Sequence, residues 1–418
     1  MPTTRRFFLL NGAFALAGTT AIPSFLVRSV MAQTAAVPNR RLVVIFQRGA
    51  ADGLNIIVPY REKNYYAMRP SIAIPQNQVI DLDGFFGLHP SLAPFKPLYD
   101  QGHLAIVHAA GSPDMSRSHF DAQDYMESGT PGVKSTQDGW LNRALQAEDL
   151  RRRQQHTAFR ALALGAEVPL TLAGKIPAIA LNNLNSFAIG GANARQSRTS
   201  SPAASAFEAM YGDSGDQIFH TAGEETFEAV KMLRSANPAQ YTPGPGVDYP
   251  QTEFGNSLRQ IAQLLKANLG VEAAFTDVSG WDTHHDQGGV NGQLSNRLRD
   301  FSAAIAAFWR DLGDDAANVT LVTTSEFGRT ARENGTGGTD HGHANAMFVL
   351  GGDVKGGKVY GRWPGLDNDQ LNEGRDLTLT TDYRQVLGEV VNKTLGAGNL
   401  DLVFPGASLA PKSFLRLV

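Results

Sequence analysis

The chain of 418 residues contains no cysteine. This excludes disulfides, zinc–thiolate centres and cysteine nucleophiles, and it suits a protein that meets an oxidising compartment without covalent staples. Charge is sparse: 18% of residues are charged, the formal net charge is −3, and no basic stripe is present. Nucleic acid is therefore not an expected partner. Acidic residues are missing altogether from "MPTTRRFFLLNGAFALAGTTAIPSFLVRSVMAQ". Its apolar stretch is broken by Gly12, Gly18, Pro23 and Arg28, well short of the ~20 residues a membrane span needs. What it does have is Arg5-Arg6 in a Thr-Arg-Arg-Phe-Phe-Leu setting and small residues before a cut after Ala32. That pattern reads as a twin-arginine signal over residues 1–32, with the twin-arginine translocase as export partner and a periplasmic or extracellular destination. A metal loaded in the cytoplasm would suit a route that carries folded chains.

Past the leader, apolar runs alternate with amphipathic ones. "RLVVIF", "GHLAIVHAAG", "VEAAFTDVSG", "NVTLVTT" and "ANAMFVLGG" read as buried strands, and "FRALALG" and "IPAIALNN" as two weaker ones. "HFDAQDYMESG", "GNSLRQIAQLLKANLG", "GQLSNRLRDFSAAIAAFWRDLG" and "TTDYRQVLGEVVNKTLG" have helical spacing. Alternation over the whole chain predicts an α/β fold, a mostly parallel central sheet with helices on both faces. Residues 40–418 are read as one domain. The polar loop "GGANARQSRTSSPAAS" and the Pro/Gly-rich connector at 236–251 interrupt it without marking a boundary.

The chemistry gathers just past predicted strand ends, where open α/β sheets bind ligands. Asp52, the "SRSH" stretch, "GWDTHHDQ" and "SEFGR" each occupy such a position. Four of the ten histidines fall in two short stretches, His284 and His285 in the first and His341 and His343 in "GTDHGH". With Asp282 and Asp340 they offer the mixed nitrogen and oxygen donors that suit a divalent ion, zinc first, then manganese, iron or calcium. Asp52 is a further candidate ligand or a turn-capping residue. Glu326 is a ligand or the ion-pair partner of Arg329. Ser118 stands where a helix begins and is a candidate nucleophile or simply an N-cap, with Ser116 as a substitute. Arg117 can grip an anion in two-pronged fashion, and His119 completes the candidate catalytic set.

The ordered motifs "RGAADGLN", "MSRSHFDAQDYMESG", "GWDTHHDQ", "TTSEFGRT" and "GTDHGHA" behind a twin-arginine leader resemble a large uncharacterised family of exported bacterial proteins. That family in turn is similar to the alkaline phosphatase/sulfatase superfamily. The resemblance implies a three-layer α/β sandwich of the alkaline-phosphatase kind and a metal-dependent hydrolase of phosphate, or secondarily sulfate, esters. It places Asp52 at the first metal aspartate, Ser118 at the nucleophile, Asp282 and His284 in the later Asp/His element, and Glu326 where an Asp usually stands. His341 or His343 takes the last histidine. The implied substrate is a small-molecule or envelope-derived anionic ester. Three departures stand out. Glu326-Phe327 replaces an Asp-His pair, Asp282 and His284 are spaced more tightly than usual, and the sulfatase signature is absent because Pro113 directly follows Ser112. A non-catalytic metal- or anion-binding protein and a phosphoryl or phosphoethanolamine transferase are the alternatives.

Overall fold

The computed structural model describes residues 40–152, 156–182, 184 and 241–418. The expected leader at 1–32, the polar loop at 190–205 and the first part of the 236–251 connector lie outside the described residues.

Among the described residues, nine strands form the main sheet. In chain order they are β1 (Arg41–Arg48), β2 (Leu104–Gly111), β3 (Ala161–Leu164), β4 (Ile179–Leu181), β5 (Ala273–Ser279), β6 (Val319–Ser325), β7 (Asn345–Gly351), β8 (Lys358–Tyr360) and β9 (Thr381–Asp382). Across the sheet the order is β8-β2-β7-β6-β1-β5-β3-β4, with β9 also pairing with β2. All seven strands expected from the sequence are present. β1 lies between β5 and β6 and is parallel to both. Among the described strands of this sheet β7 alone reverses, pairing antiparallel with β2 and β6. The reversal matters for the site. It brings the start of β7 to the edge where β1, β2, β5 and β6 end, so the "GTDHGH" loop joins the loops that follow those four strands.

The central strands are continuously apolar because helices cover both faces. Val43, Ile45, Ala274, Leu321 and Phe348 face one side, packed with α4 (Glu253–Lys266) and α5 (Gln293–Leu312) through Leu258, Ile261, Leu298, Phe301 and Phe308. The alternate residues Leu42, Val44, Phe46, Phe275, Val322 and Val349 face the other side. There they meet α3 (Trp140–Arg152) through Leu141 and Leu145, and α6 (Tyr383–Val390) through Val386, Leu387 and Val390. Period-2 alternation between two helical layers makes a three-layer sandwich, and each such side chain contributes about 1.5–3 kcal/mol by its burial. The helix expected at 119–129 ends where the sequence says it should, whereas α4 begins two residues before the expected Gly255 and stops at Lys266 rather than Gly270. α2 (His119–Ser128) is capped by the Ser118 side chain and stops at Gly129, whose φ is 71°. Thr252 caps α4 through the Gly255 N–H. α1 (Lys63–Met68) and α3 had no clear periodic signal, because α3 packs nearly all round its first three turns. Among the described residues no helix is long and apolar enough to cross a membrane.

Candidate metal centre

The helix start after β2 and the loops after β5 and before β7 bring three imidazoles to one point. The Nε2 atom of His341 lies 3.0 Å from Nε2 of His119 and 2.9 Å from Nε2 of His284. The Asp282 carboxylate closes the group, with Oδ1 3.0 Å from His284 Nε2 and 3.3 Å from His341 Nε2, and Oδ2 3.5 Å from His119 Nε2. His119, Asp282 and His341 each offer an atom within 4.8 Å of the others, a spacing that could hold a metal ion.

The opposite edge of each ring fixes its protonation. His341 Nδ1 lies 2.9 Å from the Arg117 carbonyl. A carbonyl only accepts, so Nδ1 carries the hydrogen and Nε2 of the neutral ring presents a lone pair. His119 Nδ1 donates to Glu326 Oε1 at 2.9 Å, and His284 Nδ1 donates to Asp340 Oδ1 at 2.9 Å. With all three rings neutral, three Nε2 lone pairs and a carboxylate face one another at contact distance. Such an arrangement repels unless a cation sits among the lone pairs. Three imidazoles and a carboxylate form a mixed nitrogen–oxygen set that fits zinc, and anchoring the far ring nitrogen to a carboxylate or carbonyl is how metal-binding histidines are oriented.

Glu326 is fully buried, a state that raises its pKa. Hydrogen bonds from His119, Gln123 and the Gly49 N–H outweigh that and hold it below the usual range as a carboxylate. The Glu326 hydrogen bond raises the His119 pKa against the effect of burial, while burial, with His119 and Arg329 nearby, lowers that of His341. Burial also works against the Asp282 carboxylate, but the Arg329 guanidinium, 2.6 Å from Oδ1, keeps it ionised.

Glycine makes the loops rigid rather than loose. A Cβ on Gly338 would lie 2.3 Å from the His284 carbonyl, and one on Gly342 would lie 2.3 Å from the Arg329 backbone. Both positions are close approaches that lock the "GTDHGH" loop onto its neighbours. Arg329 completes the lock. Its buried guanidinium donates to the carbonyls of Ala50, Thr339, Gly49 and Trp281 as well as to Asp282.

The candidate residues thus divide. His119, Asp282, His284 and His341 meet. Glu326 and Asp340 stand one step behind and orient His119 and His284. Asp52 lies elsewhere, its carboxylate held by both terminal nitrogens of Arg69 at 2.6 and 2.9 Å and by Gln287 at 2.7 Å, in a fully buried ion pair. His343 is also turned away, with Nε2 2.9 Å from the Ser112 carbonyl. Arg329 pairs with Asp282 rather than with Glu326. Ser118 caps α2, accepting from the Asp121 N–H at 3.5 Å, and its exposed hydroxyl is one residue from His119. Arg117 Nη2 is held by Glu373 at 2.6 Å and Asp376 at 2.7 Å. Phe327, where the resemblance expects a histidine, packs its ring 4.9 Å from His119 and 5.1 Å from His341 and walls the site from below. The sequence places His119 in the candidate catalytic set, whereas the structure groups it with Asp282 and His341 as residues that could hold a metal ion. The sequence reading missed a second group, Glu148, His156 and Glu272. There Arg160 already reaches Glu148 at 2.8 Å and Glu272 at 3.1 Å, so a guanidinium supplies the positive charge.

Several solved structures share features of this fold. The zinc complex of the C-terminal periplasmic domain of EptC from Escherichia coli is 11% identical, with 75% of this chain and 72% of that chain covered and a TM-score of 0.35. A mutant of the alkaline phosphatase PafA is 11% identical over 71% of this chain and 64% of that chain, with a TM-score of 0.33. The PsFucS1 sulfatase from Pseudoalteromonas sp. is 14% identical over 95% of this chain and 78% of that chain, with a TM-score of 0.39. Among curated proteins none matches the chain. Residues 39–399 match the family described as "Protein of unknown function (DUF1501)", and the chain belongs to that family.

Proposed function

We propose that the chain is an exported metal-dependent hydrolase of phosphate esters, and secondarily of sulfate esters, with Ser118 as nucleophile and zinc as the resident ion. The observation that carries this reading is the convergence of the Nε2 atoms of His119, His284 and His341 with the Asp282 carboxylate. His119, His284, His341 and Asp282 would hold the ion, with Glu326 and Asp340 fixing the rings. A bound divalent ion supplies Lewis acidity and lowers the pKa of a nearby hydroxyl. The chain supplies the rest. Ser118 presents its hydroxyl at the start of α2, where free backbone N–H groups favour an anion. Arg117 reaches the same anion by exchanging Glu373 for the substrate, since that carboxylate is exposed. His119 and His341 keep their Nε2 edges turned inward.

The mature protein is assayed with zinc against phosphate mono- and diesters, with and without chelator. Ser118→Ala is expected to lose turnover while retaining zinc. Turnover indifferent to both chelator and this substitution rejects the mechanism. Two features favour the non-catalytic alternative: the Phe327 wall and the anchoring of Arg117 on two carboxylates. Bound zinc without turnover on any phosphate or sulfate ester would select it. Added acceptor alcohols separate a transferase from a hydrolase by their esterified products. Export is tested directly, since replacing Arg5 and Arg6 by Lys should trap the precursor in the cytoplasm.

A further inference from the structure

Among the described residues, five large apolar side chains are exposed, and three of them lie on adjoining segments around the start of α2, where His119 stands: Phe120 at 86%, Met115 at 41% and Val133 at 46%. Phe120 directly follows His119 in the first turn of α2. Met115 lies in the loop whose Arg117 carbonyl orients His341. The loop carrying Val133 is drawn to the same place by an ion pair between Lys134 and Asp121 at 2.6 Å. A Cβ on Gly132 would lie 3.4 Å from Asp114 Oδ2, so the two loops adjoin. Isolated exposed apolar side chains are ordinary, but a group of them at the rim of a polar site marks a binding surface. Three side chains present far less than the ~800 Å² per partner of a stable protein interface, whereas an aromatic ring buries about 150–250 Å². Asp114, Asp121 and Asp124 flank the patch, a poor setting for an anionic bilayer.

We infer that Phe120, with Met115 and Val133, forms an apolar rim that receives the aromatic or aliphatic part of an ester whose anionic group lies at the metal centre. The inference rests on the hydrolase reading and narrows its substrates to amphiphilic esters. Phe120 acts on specificity and takes no part in the chemistry.

The test is titration of the zinc-loaded mature chain with methylphosphonate and benzylphosphonate, compared with Phe120→Ala. The wild type is expected to bind benzylphosphonate about tenfold more tightly than methylphosphonate, the scale of one well-placed ring contact. Phe120→Ala should bring the two near parity and leave methylphosphonate unchanged. Because this ring is almost wholly in solvent, the variant is expected to fold normally. Equal affinities in the wild type, or a preference that survives Phe120→Ala, overturn the rim. If neither phosphonate binds, the hydrolase reading fails on its own, and an anilinonaphthalene sulfonate dye then decides the rim. Dye fluorescence lost in Phe120→Ala supports an apolar site there, and fluorescence unchanged removes it.

Discussion

His341 is the hub of the candidate metal centre, because its Nε2 lies within 3.3 Å of His119, His284 and Asp282. Substituting it by Ala removes the central donor and also frees the Arg117 carbonyl. Even loss of a residue that only orients a ligand lowers metal affinity by about 10–100-fold, so losing this ligand should weaken zinc by at least ~100-fold, or ~2.8 kcal/mol. The consequence is measurable as stability. With free zinc at a hundred times the wild-type Kd, the ion stabilises the wild type by ~2.7 kcal/mol. A variant whose Kd is a hundredfold weaker gains only ~0.4 kcal/mol under the same conditions. Thermal unfolding with graded zinc should therefore show a rise in Tm for the wild type that almost disappears in His341→Ala. His343→Ala is the control. It belongs to the same Asp-His-x-His run but binds the Ser112 carbonyl, so its zinc-induced rise should match the wild type even if its metal-free Tm falls. An undiminished rise in His341→Ala, or equal losses in the two variants, would refute the assignment.

Glu326→Gln should lower zinc affinity by about 10–100-fold, measured by chelator competition, while Asp340→Asn should lower it less. The difference arises because the Glu326 side chain is wholly buried and that of Asp340 is 52% exposed. Asp52→Ala should leave zinc stoichiometry unchanged yet destabilise the fold by about 3–5 kcal/mol in denaturant titration, because it strands the buried Arg69 guanidinium. Asp311 predicts acid sensitivity. Burial works to raise its pKa, but Tyr241, the Gly244 N–H, Lys266 and Tyr249 together hold it below the ordinary value. A folded pKa below the unfolded one, ~3.9, gives stability that is present above ~pH 4 and lost as pH falls through the folded value. Asp311→Asn should thus be less stable at neutral pH and show a smaller loss on acidification below pH 4. An identical acid profile would contradict this.

Much of this protein was determined by sequence alone. Uninterrupted β-branched runs fixed the strands, because a strand covered on both faces has no polar side to interrupt it. Ser118 and Gly129 marked both ends of α2. Clustered histidines and aspartates at strand ends pointed to the edge of the sheet where His119, Asp282, His284 and His341 gather. Tertiary structure decided which donors meet. Asp52 looked as suitable as Asp282, but Arg69, seventeen residues further on, neutralises it, and a guanidinium's partner across a loop leaves no periodic trace. The reversal of β7 brought His341 to face His119 and His284 and turned His343 toward Ser112, two positions away in a loop with no fixed period. Glu326 and Asp340 carry the right atoms for ligands, yet packing put imidazole rings between them and the point of convergence. Side-chain type set the available chemistry, whereas the direction of each bond vector depended on contacts between residues from 17 to 231 positions apart.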